Sequence, residues 1–217
     1  MMRPSLLLLL SGCADITAIE DGARYGDVEV IQDWFTSIAL VSTEQTTLLV
    51  DAGYRPKKIA AALAERGIDP ADVDHVLLTH AHDDHVGALS LYTGAQVWAL
   101  AEEVDDIPGE VSVIEAGAEV LLGDVTVEAF AMPGHTPGSA VYRIGSALVL
   151  GDAALIDRDG ALVPVPEKRS EDPEGAEQAL IELAATLSER PDAVSHLVPA
   201  HSGGSSDLSL LWAWQPQ

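Results

Sequence analysis

The sequence predicts one domain of mixed α/β class, and three observations support this. The chain has 217 residues, which suits one catalytic α/β domain but not a second large one. Short apolar runs recur in pairs that are joined by polar or glycine-containing turns, as in β-hairpins. Two longer segments, one in each half, have apolar residues at helical spacing. Aromatic residues make up 5% of the chain, so we expect a core of mainly Leu, Val, Ala and Ile.

In the first half of the chain, a hairpin precedes a helix and a central strand. The polar turn 42–45 separates two apolar runs. Ile59 and Leu63 lie one helical turn apart, and Gly67 is a natural end for that helix. The predicted strands are residues 38–41, 46–50, 76–78 and 94–100, and the predicted helix is residues 57–66.

In the second half, two further hairpins precede a longer helix. Gly123-Asp124 and Gly145-Ser146 are favourable turn pairs. Residues 157–173 are polar and rich in proline, which predicts a long surface loop. The acidic residues 102–106 are expected to form a loop that borders the substrate cleft. The predicted strands are residues 120–122, 125–131, 140–144 and 147–150, and the predicted helices are residues 173–189 and, as a closing segment, 208–217.

The stretch 79–87, with the sequence THAHDDHVG, carries most of the functional information. It follows a buried strand, so its side chains have a rigid base. His80 and His82 are two positions apart and can reach one metal ion from the same side of an extended backbone. If the chain then coils, Asp84 and His85 turn toward a second position, which describes a two-metal site. The alternative is a short His- and Asp-rich tract that binds metal loosely.

Three later strand ends also offer metal-type ligands. His135 lies in a turn with two prolines and two glycines, directly after an alternating strand pattern. Asp152 follows an apolar run that predicts a buried strand, and His201 follows another. Four strand-end loops therefore carry candidate ligands, which argues against loose metal binding.

The order of these residues resembles that of the metallo-β-lactamase superfamily, in which His-x-His-x-Asp-His is followed by a distant His, Asp and His. The resemblance covers residues 38–204. It implies an αββα four-layer sandwich of two mixed β-sheets flanked by helices. It also implies a bridging carboxylate that is shared, together with a water or hydroxide, by two metals. The implied ligands are His80, His82 and His135 for one metal, Asp84, His85 and His201 for the other, and Asp152 as the bridge.

By this resemblance the protein is a metallo-hydrolase with two divalent ions, zinc being expected and iron or manganese being alternatives. A bridging hydroxide would open an ester, lactone or thioester, and Asp84 would be the catalytic residue that orients it and accepts its proton. The second site contains no cysteine, so the ligand set looks more like glyoxalase II and the lactonases than like the antibiotic-degrading enzymes.

Three alternative functions stay open at this stage. They are β-lactam hydrolysis, an iron-dependent oxidoreductase similar to the persulfide dioxygenases, and a surface lipoprotein that binds metal without catalysis. Flavodiiron chemistry is disfavoured because those proteins have glutamate where this chain has His82.

The charge of the chain bears on its partners. It has 11 basic and 35 acidic residues and a net charge of −24, which disfavours nucleic acid as a substrate. A small-molecule substrate is therefore expected, while the oligomeric state is left open. Lys168 and Arg169 are candidates for binding a substrate carboxylate or phosphate, or are simply solvated charges.

The amino-terminal residues resemble a bacterial lipoprotein signal. Residues 1–12 combine Arg3, a run of five leucines and small residues before Cys13, the only cysteine. We expect membrane anchoring through a lipidated Cys13, a tether over residues 13–26, a catalytic domain over residues 27–217, and a location in the cell envelope, either periplasmic or on the outer surface. Residues 14–26 form either this tether or a first irregular strand. The alternative for the leucine run is a buried first strand.

Three other polar residues precede or follow the predicted strands. His75 and His196 lie outside the ligand pattern and are interpreted as strand-edge or core histidines. Asp51 ends a predicted strand, where it would either support a ligand histidine or form a turn.

Overall fold

Two β-sheets pack face to face between layers of helices in the computed structural model, which describes residues 16–216. The first sheet has the strand order β1-β2-β3-β4-β5-β6-β7, and the second has the order β14-β11-β10-β9-β8. The strands of the first sheet are β1 (Arg24–Tyr25), β2 (Val28–Asp33), β3 (Thr36–Ser42), β4 (Thr47–Val50), β5 (His75–Leu77), β6 (Gln96–Ala99) and β7 (Ser112–Val113). Those of the second are β8 (Glu119–Leu122), β9 (Val125–Ala131), β10 (Ala140–Ile144), β11 (Ala147–Gly151) and β14 (His196–Pro199).

The remaining elements connect or cover these sheets. A small hairpin is separate from both sheets and consists of β12 (Leu155–Ile156) and β13 (Leu162–Val163). The α-helices are α1 (Pro56–Glu65), α2 (Asp83–Val86), α3 (Pro173–Ser188) and α4 (Ser209–Trp212). Short 3-10 segments are Pro70–Asp72, Leu89–Leu91, Ala101–Asp106, Glu167–Arg169 and Pro191–Ala193.

Strand direction determines which loops meet. In the first sheet, β4, β5, β6 and β7 run parallel to one another. In the second, β11 is parallel to β14 and antiparallel to β10, which is antiparallel to β9. Strands β9, β11 and β14 therefore point the same way and end at one edge of their sheet, as β4 and β5 do in theirs.

The apolar residues form three layers. One fills the space between the two sheets and includes Leu48, Val127 and Tyr142. A second lies between the first sheet and α1, and a third lies between the second sheet and α3. Full burial of a Leu or Ile side chain contributes about 1.5–3 kcal/mol, so burial in these layers stabilises the αββα arrangement that the family resemblance implied.

The two longer helices, α1 and α3, have the first-turn residues and the buried apolar faces that their sequences indicate. Each has proline in its first turn, where no backbone donor is lost. Helix α1 buries Ile59 and Leu63. At the start of α3 the Asp172 side chain accepts a hydrogen bond from Gly175 N. Its buried face is Ala176, Ala179, Leu180, Leu183, Ala184 and Leu187.

Most predicted elements are confirmed, two expectations are wrong, and one long strand was not predicted. All three hairpins form with the expected turns. Residues 157–173 are not a simple surface loop, because Leu162 and Val165 are buried and β13 forms there. Residues 102–106 are helical rather than a loop, and β2 was not predicted.

The segment predicted as a tether is part of the folded domain where the structure describes it. Ile16 pairs with Asp157, Thr17 N donates to Ile156 O at 3.0 Å, and β1 pairs with β2. The described part of residues 14–26 therefore pairs with strands of the domain, as in the alternative of a first irregular strand. The predicted leader 1–12 and Cys13 lie outside the described residues. Within residues 16–216, no helix has the length and apolar character needed to cross a bilayer.

Tyr142 links the two sheets directly below the histidine-rich loop, and this contact can be tested. Its hydroxyl donates to Leu78 O at 2.8 Å, and the side chain is fully buried. Tyr142→Phe should lower the free energy of unfolding by about 1–2 kcal/mol, because a buried carbonyl loses a donor. Urea unfolding measures this. Tyr54→Phe, at a 39% exposed position, is the control and should change stability little. Equal stabilities for the two variants would contradict the assignment.

Candidate metal centre

Five imidazoles and two carboxylates meet where strands of the two sheets end. His80 and His82 follow β5, and Asp84 and His85 lie on α2. The other ligand-type residues come from the second sheet, after β9, β11 and β14. They fall into three overlapping groups that could each hold a metal ion: His80, His82 and His135; His80, His85 and Asp152; and Asp84, His85 and His201.

The first group consists of three ring nitrogens in mutual contact. His80 Nε2 lies 3.0 Å from His82 Nδ1, and His135 Nε2 lies 3.1 and 2.9 Å from these two atoms. Burial lowers the pKa of His80 well below its usual range and that of His135 to about 4. These two rings are therefore neutral at pH 7, and the three nitrogens converge on one point, as metal binding requires.

A second ligand group, the last of the three sets named above, consists of Asp84, His85 and His201 and combines a carboxylate with two imidazoles. Asp84 Oδ2 lies 3.2 Å from His201 Nε2 and 3.7 Å from His85 Nε2. Burial would lower the pKa of both histidines, but neighbouring carboxylates outweigh it. The pKa of His85 is raised well above its usual range by Asp51 and Asp152, and that of His201 is raised to about 10, mainly by Asp152. Positive charge is therefore favoured at this position.

Asp152 lies between the two groups. Its Oδ1 is 3.2 Å from His85 Nε2 and 3.1 Å from His201 Nε2, while its Oδ2 is 3.4 Å from His135 Nε2. Burial would raise the pKa of this carboxyl, but His85 and His201 hold it well below its usual range. One oxygen thus faces each group, which is the placement that a bridging carboxylate needs.

Buried polar atoms without partners test whether metal ions suit this centre. His85 Nε2 and Asp152 Oδ1 are both buried and form no hydrogen bond within the described chain, although they lie 3.2 Å apart. Leaving such atoms unsatisfied is costly, and a cation between them would satisfy both. Imidazole nitrogen with carboxylate oxygen suits zinc, iron or manganese. The residues therefore fit the two divalent ions that the resemblance implies.

Hydrogen bonds behind the rings select which nitrogen faces the centre. His85 Nδ1 donates to Asp51 Oδ2 at 2.8 Å, so its Nε2 is free. His80 Nδ1 lies 3.1 Å from Thr79 Oγ1, which itself donates to Asp51. Asp51 is 2% exposed and has a φ of 66°. Of its two predicted roles, the contact with a candidate ligand histidine is present.

The end of β11 approaches this network closely, and glycine is needed there. A Cβ on Gly151 would lie 2.6 Å from Thr79 Cβ and Oγ1, and its φ of 52° also favours glycine. Without this approach Asp152, the next residue, could not lie beside His85.

His201 is held by a residue that the sequence did not indicate. Its Nδ1 donates to Phe35 O at 2.9 Å, and the Phe35 ring stacks on the imidazole with centroids 5.7 Å apart. Phe35 follows Trp34 in the β2–β3 turn, and its role arises only from the pairing of distant strands. No local pattern in the sequence marks it.

An open cleft of about 530 Å³ lies over the centre. The two basic residues named from the sequence, Lys168 and Arg169, are in its lining, as expected for substrate-binding candidates. Residues 102–106 are absent from the lining, so the expectation that they border the cleft is wrong. The lining consists of Phe35, His82, Asp84, His135, Asp152, Lys168, Arg169, Ser170, Glu171 and His201.

The two remaining histidines lie elsewhere, as predicted. His75 Nδ1 accepts a hydrogen bond from Trp98 Nε1 at 3.3 Å. His196 Nδ1 lies 2.9 Å from Ser206 Oγ. Neither belongs to a group that could hold a metal within the described residues.

Sequence comparison relates this arrangement to known proteins. The family model for the metallo-beta-lactamase superfamily matches residues 31–109. Metallo-beta-lactamase domain-containing protein 1 of Xenopus laevis is 33% identical over 66% of this chain and 63% of its own length. Exodeoxyribonuclease WalJ of Streptococcus pneumoniae is 33% identical over 48% of this chain and 43% of its own. Hydroxyacylglutathione hydrolase of Fuscovulum blasticum is 31% identical over 62% of this chain and 53% of its own length. The chain thus spans less than two thirds of each of these relatives.

Structural comparison gives wider coverage. A B3 metallo-β-lactamase with an active-site glutamic acid has a TM-score of 0.70 and 18% identity, covering 92% of this chain and 87% of that one. A metallo-β-lactamase family protein from Thermus thermophilus has a TM-score of 0.66 and 20% identity, covering 88% of this chain and 80% of that one. At these identities the likeness concerns the fold.

The position of Asp152 leads to a test of the two-metal arrangement. Asp152→Ala should lower the metal content from about two ions per chain to about one and abolish turnover, because one carboxylate serves both groups. The fold should persist, since the other ligands lie on separate strand ends. Elemental mass spectrometry and circular dichroism measure these changes. His75→Ala is the control and should keep the wild-type metal content. A fully metallated Asp152→Ala protein would rule out the bridge.

Proposed function

The chain belongs to the metallo-β-lactamase superfamily, and on that premise we propose that it is a metal-dependent hydrolase that opens an ester, lactone or thioester. The observation that carries the proposal is the position of Asp152, with one oxygen toward each ligand group beneath an open cleft. A loose metal binder needs neither a shared carboxylate nor a substrate-sized cleft. Two divalent ions at such a site would stabilise a developing oxyanion and lower the pKa of water.

Asp84 is the proposed proton acceptor. Its carboxylate lines the cleft and is 19% exposed, while Asp152 is 7% exposed. A water molecule that attacks a carbonyl carbon must give up a proton, and a carboxylate at the cleft floor can hold that water and take the proton. His201, 3.2 Å from Asp84 Oδ2, fixes the direction in which this carboxylate points.

The cleft walls suggest what kind of substrate enters. Phe35 provides an apolar surface, and the exposed rings of Trp34 and Tyr54 pack nearby, with ring centroids 4.9 and 5.9 Å from that of Phe35. Lys168 and Arg169 provide positive charge in the same lining. We propose a substrate that has both an apolar group and an anionic group.

The names of the related proteins suggest which substrates to test first. Several of them are hydroxyacylglutathione hydrolases, so hydroxyacylglutathione should be tested beside acyl lactones and β-lactams. The relation to an exodeoxyribonuclease makes DNA a second candidate substrate. The net charge of −24 disfavours it, because phosphate-backbone binding needs clustered basic residues.

Asp84 can be tested against its exposed neighbour on α2. In the metallated protein, Asp84→Asn should lower kcat for the best substrate by about 10²–10⁴-fold, because the amide cannot accept the proton. Asp83→Asn, with the same change at an exposed position, should keep wild-type kcat. Steady-state hydrolysis and metal content are measured together. Wild-type kcat in Asp84→Asn, or no turnover of any ester, lactone or thioester by fully metallated protein, would contradict the proposal.

The basic residues of the cleft can be tested by comparing substrates. Combined Lys168→Gln and Arg169→Gln should raise KM for an anionic thioester by about tenfold, which corresponds to roughly 1.4 kcal/mol. KM for a neutral lactone should change little, since no charge is lost from that contact. Arg158→Gln, on the exposed part of the same segment, is the control. An equal change in KM for both substrates would show that these residues do not recognise an anion.

A further inference from the structure

Glu103 is a buried acidic residue outside the metal centre. It lies on the 3-10 segment that follows β6, and it is 3% exposed, whereas its neighbour Glu102 is exposed. Within residues 16–216 no lysine or arginine forms an ion pair with it. Burial of an unpaired carboxylate is costly unless hydrogen-bond donors compensate for the lost water.

Three donors do so, and they come from two different loops. Glu103 Oε2 accepts a hydrogen bond from Ala81 N at 2.8 Å. Its Oε1 accepts from Gly138 N at 3.0 Å and from the Thr136 hydroxyl. Ala81 stands between the first two histidines of the metal centre, while Thr136 directly follows His135.

We infer that Glu103 is a positioning residue, which sets the distance between the loop of His80 and His82 and the loop of His135. The inference rests on the metal-binding role proposed above. Those two loops supply the three nitrogens that lie 2.9–3.1 Å apart, and one rigid carboxylate joins their backbones. None of the hydrogen bonds of Glu103 goes to the ligands of the other group, which lie on α2 and after β14.

The donors require a carboxylate at this position. Backbone N–H groups of Ala81 and Gly138 can only donate. Ser139 Oγ lies 2.8 Å from Thr136 Oγ1 and can donate to it, which leaves the Thr136 hydroxyl proton for Glu103. A glutamine would turn its NH₂ group toward a donor at one end or the other, so at least one of the two loops would lose its connection.

The close fit around the carboxylate supports the same role. A Cβ on Gly138 would lie 2.7 Å from Glu103 Cγ and 2.9 Å from Glu103 N and Glu102 Cβ. The glycine therefore lets the loop after His135 come close enough for its backbone N–H to reach Oε1.

The test compares Glu103→Gln with Glu102→Gln, which makes the same change at the exposed neighbour. Each apo-protein is titrated with Co²⁺ and with Zn²⁺ against a chromophoric chelator, and the visible spectrum of the cobalt form is recorded. Glu103→Gln should weaken binding of the metal held by His80, His82 and His135 by roughly 10–100-fold and change its cobalt spectrum. The other metal should bind as in wild type, and Glu102→Gln should match wild type throughout.

Thr136→Val supplies a second variant if Glu103→Gln does not fold, because it removes one donor and keeps the side-chain shape. It should weaken the same metal by a smaller factor. In the double variant with Glu103→Gln, Thr136→Val should weaken metal binding by a smaller factor than it does alone, since both changes act through one contact.

Three results would overturn the inference. Suppose that wild type binds two metals and that both variants keep its affinities and its cobalt spectrum. That result would reject the positioning role of Glu103 but leave the proposed metal site intact. Equal loss of both metals, together with a less stable apo-protein, would show a general structural role instead. A wild-type protein that binds no metal would overturn the metal-site proposal and, with it, this inference.

Discussion

The candidate metal centre depends on holding five imidazoles and two carboxylates together where strands of the two sheets end, in three overlapping groups whose ligand atoms lie within 4.8 Å of one another. Several of these atoms are buried without a hydrogen-bond partner, so the cluster does not stabilise the fold by itself. Rigid contacts behind it keep the atoms in place. Asp51 fixes His85 directly and reaches His80 through Thr79, and Glu103 joins the loops on either side of the first group. Each ligand group is thus supported by a buried acid that does not belong to it.

The architecture supplies both the direction and the energy for this arrangement. Parallel pairing of β4 with β5 and of β11 with β14 brings four strand ends toward one edge, and β9 points the same way as β11. Three apolar layers provide the burial that offsets the cost of the polar cluster. The candidate ligands follow strands or lie on α2, whereas the walls of the cleft are mainly loops, the part of a fold that varies most among related proteins.

The sequence indicated the ligand residues because each follows an apolar strand, and strand ends are visible as a local pattern. The hairpins and the two longer helices were visible for the same reason. Glu103 was not, because it is one of four acidic residues within residues 102–106, and only tertiary packing decides which of them is buried. Strand β13 has two residues and is too short to show alternation. Phe35 supports His201 through a contact between residues 166 positions apart, which no local pattern predicts.

The proposed chemistry requires two metal ions that share Asp152. Anomalous diffraction from crystals of the metallated protein, recorded on both sides of the metal absorption edge, tests it most directly. We expect two peaks per chain, one among His80, His82 and His135 and the other among Asp84, His85 and His201, with one Asp152 oxygen toward each. A single peak, or two peaks of which only one lies beside Asp152, would contradict it.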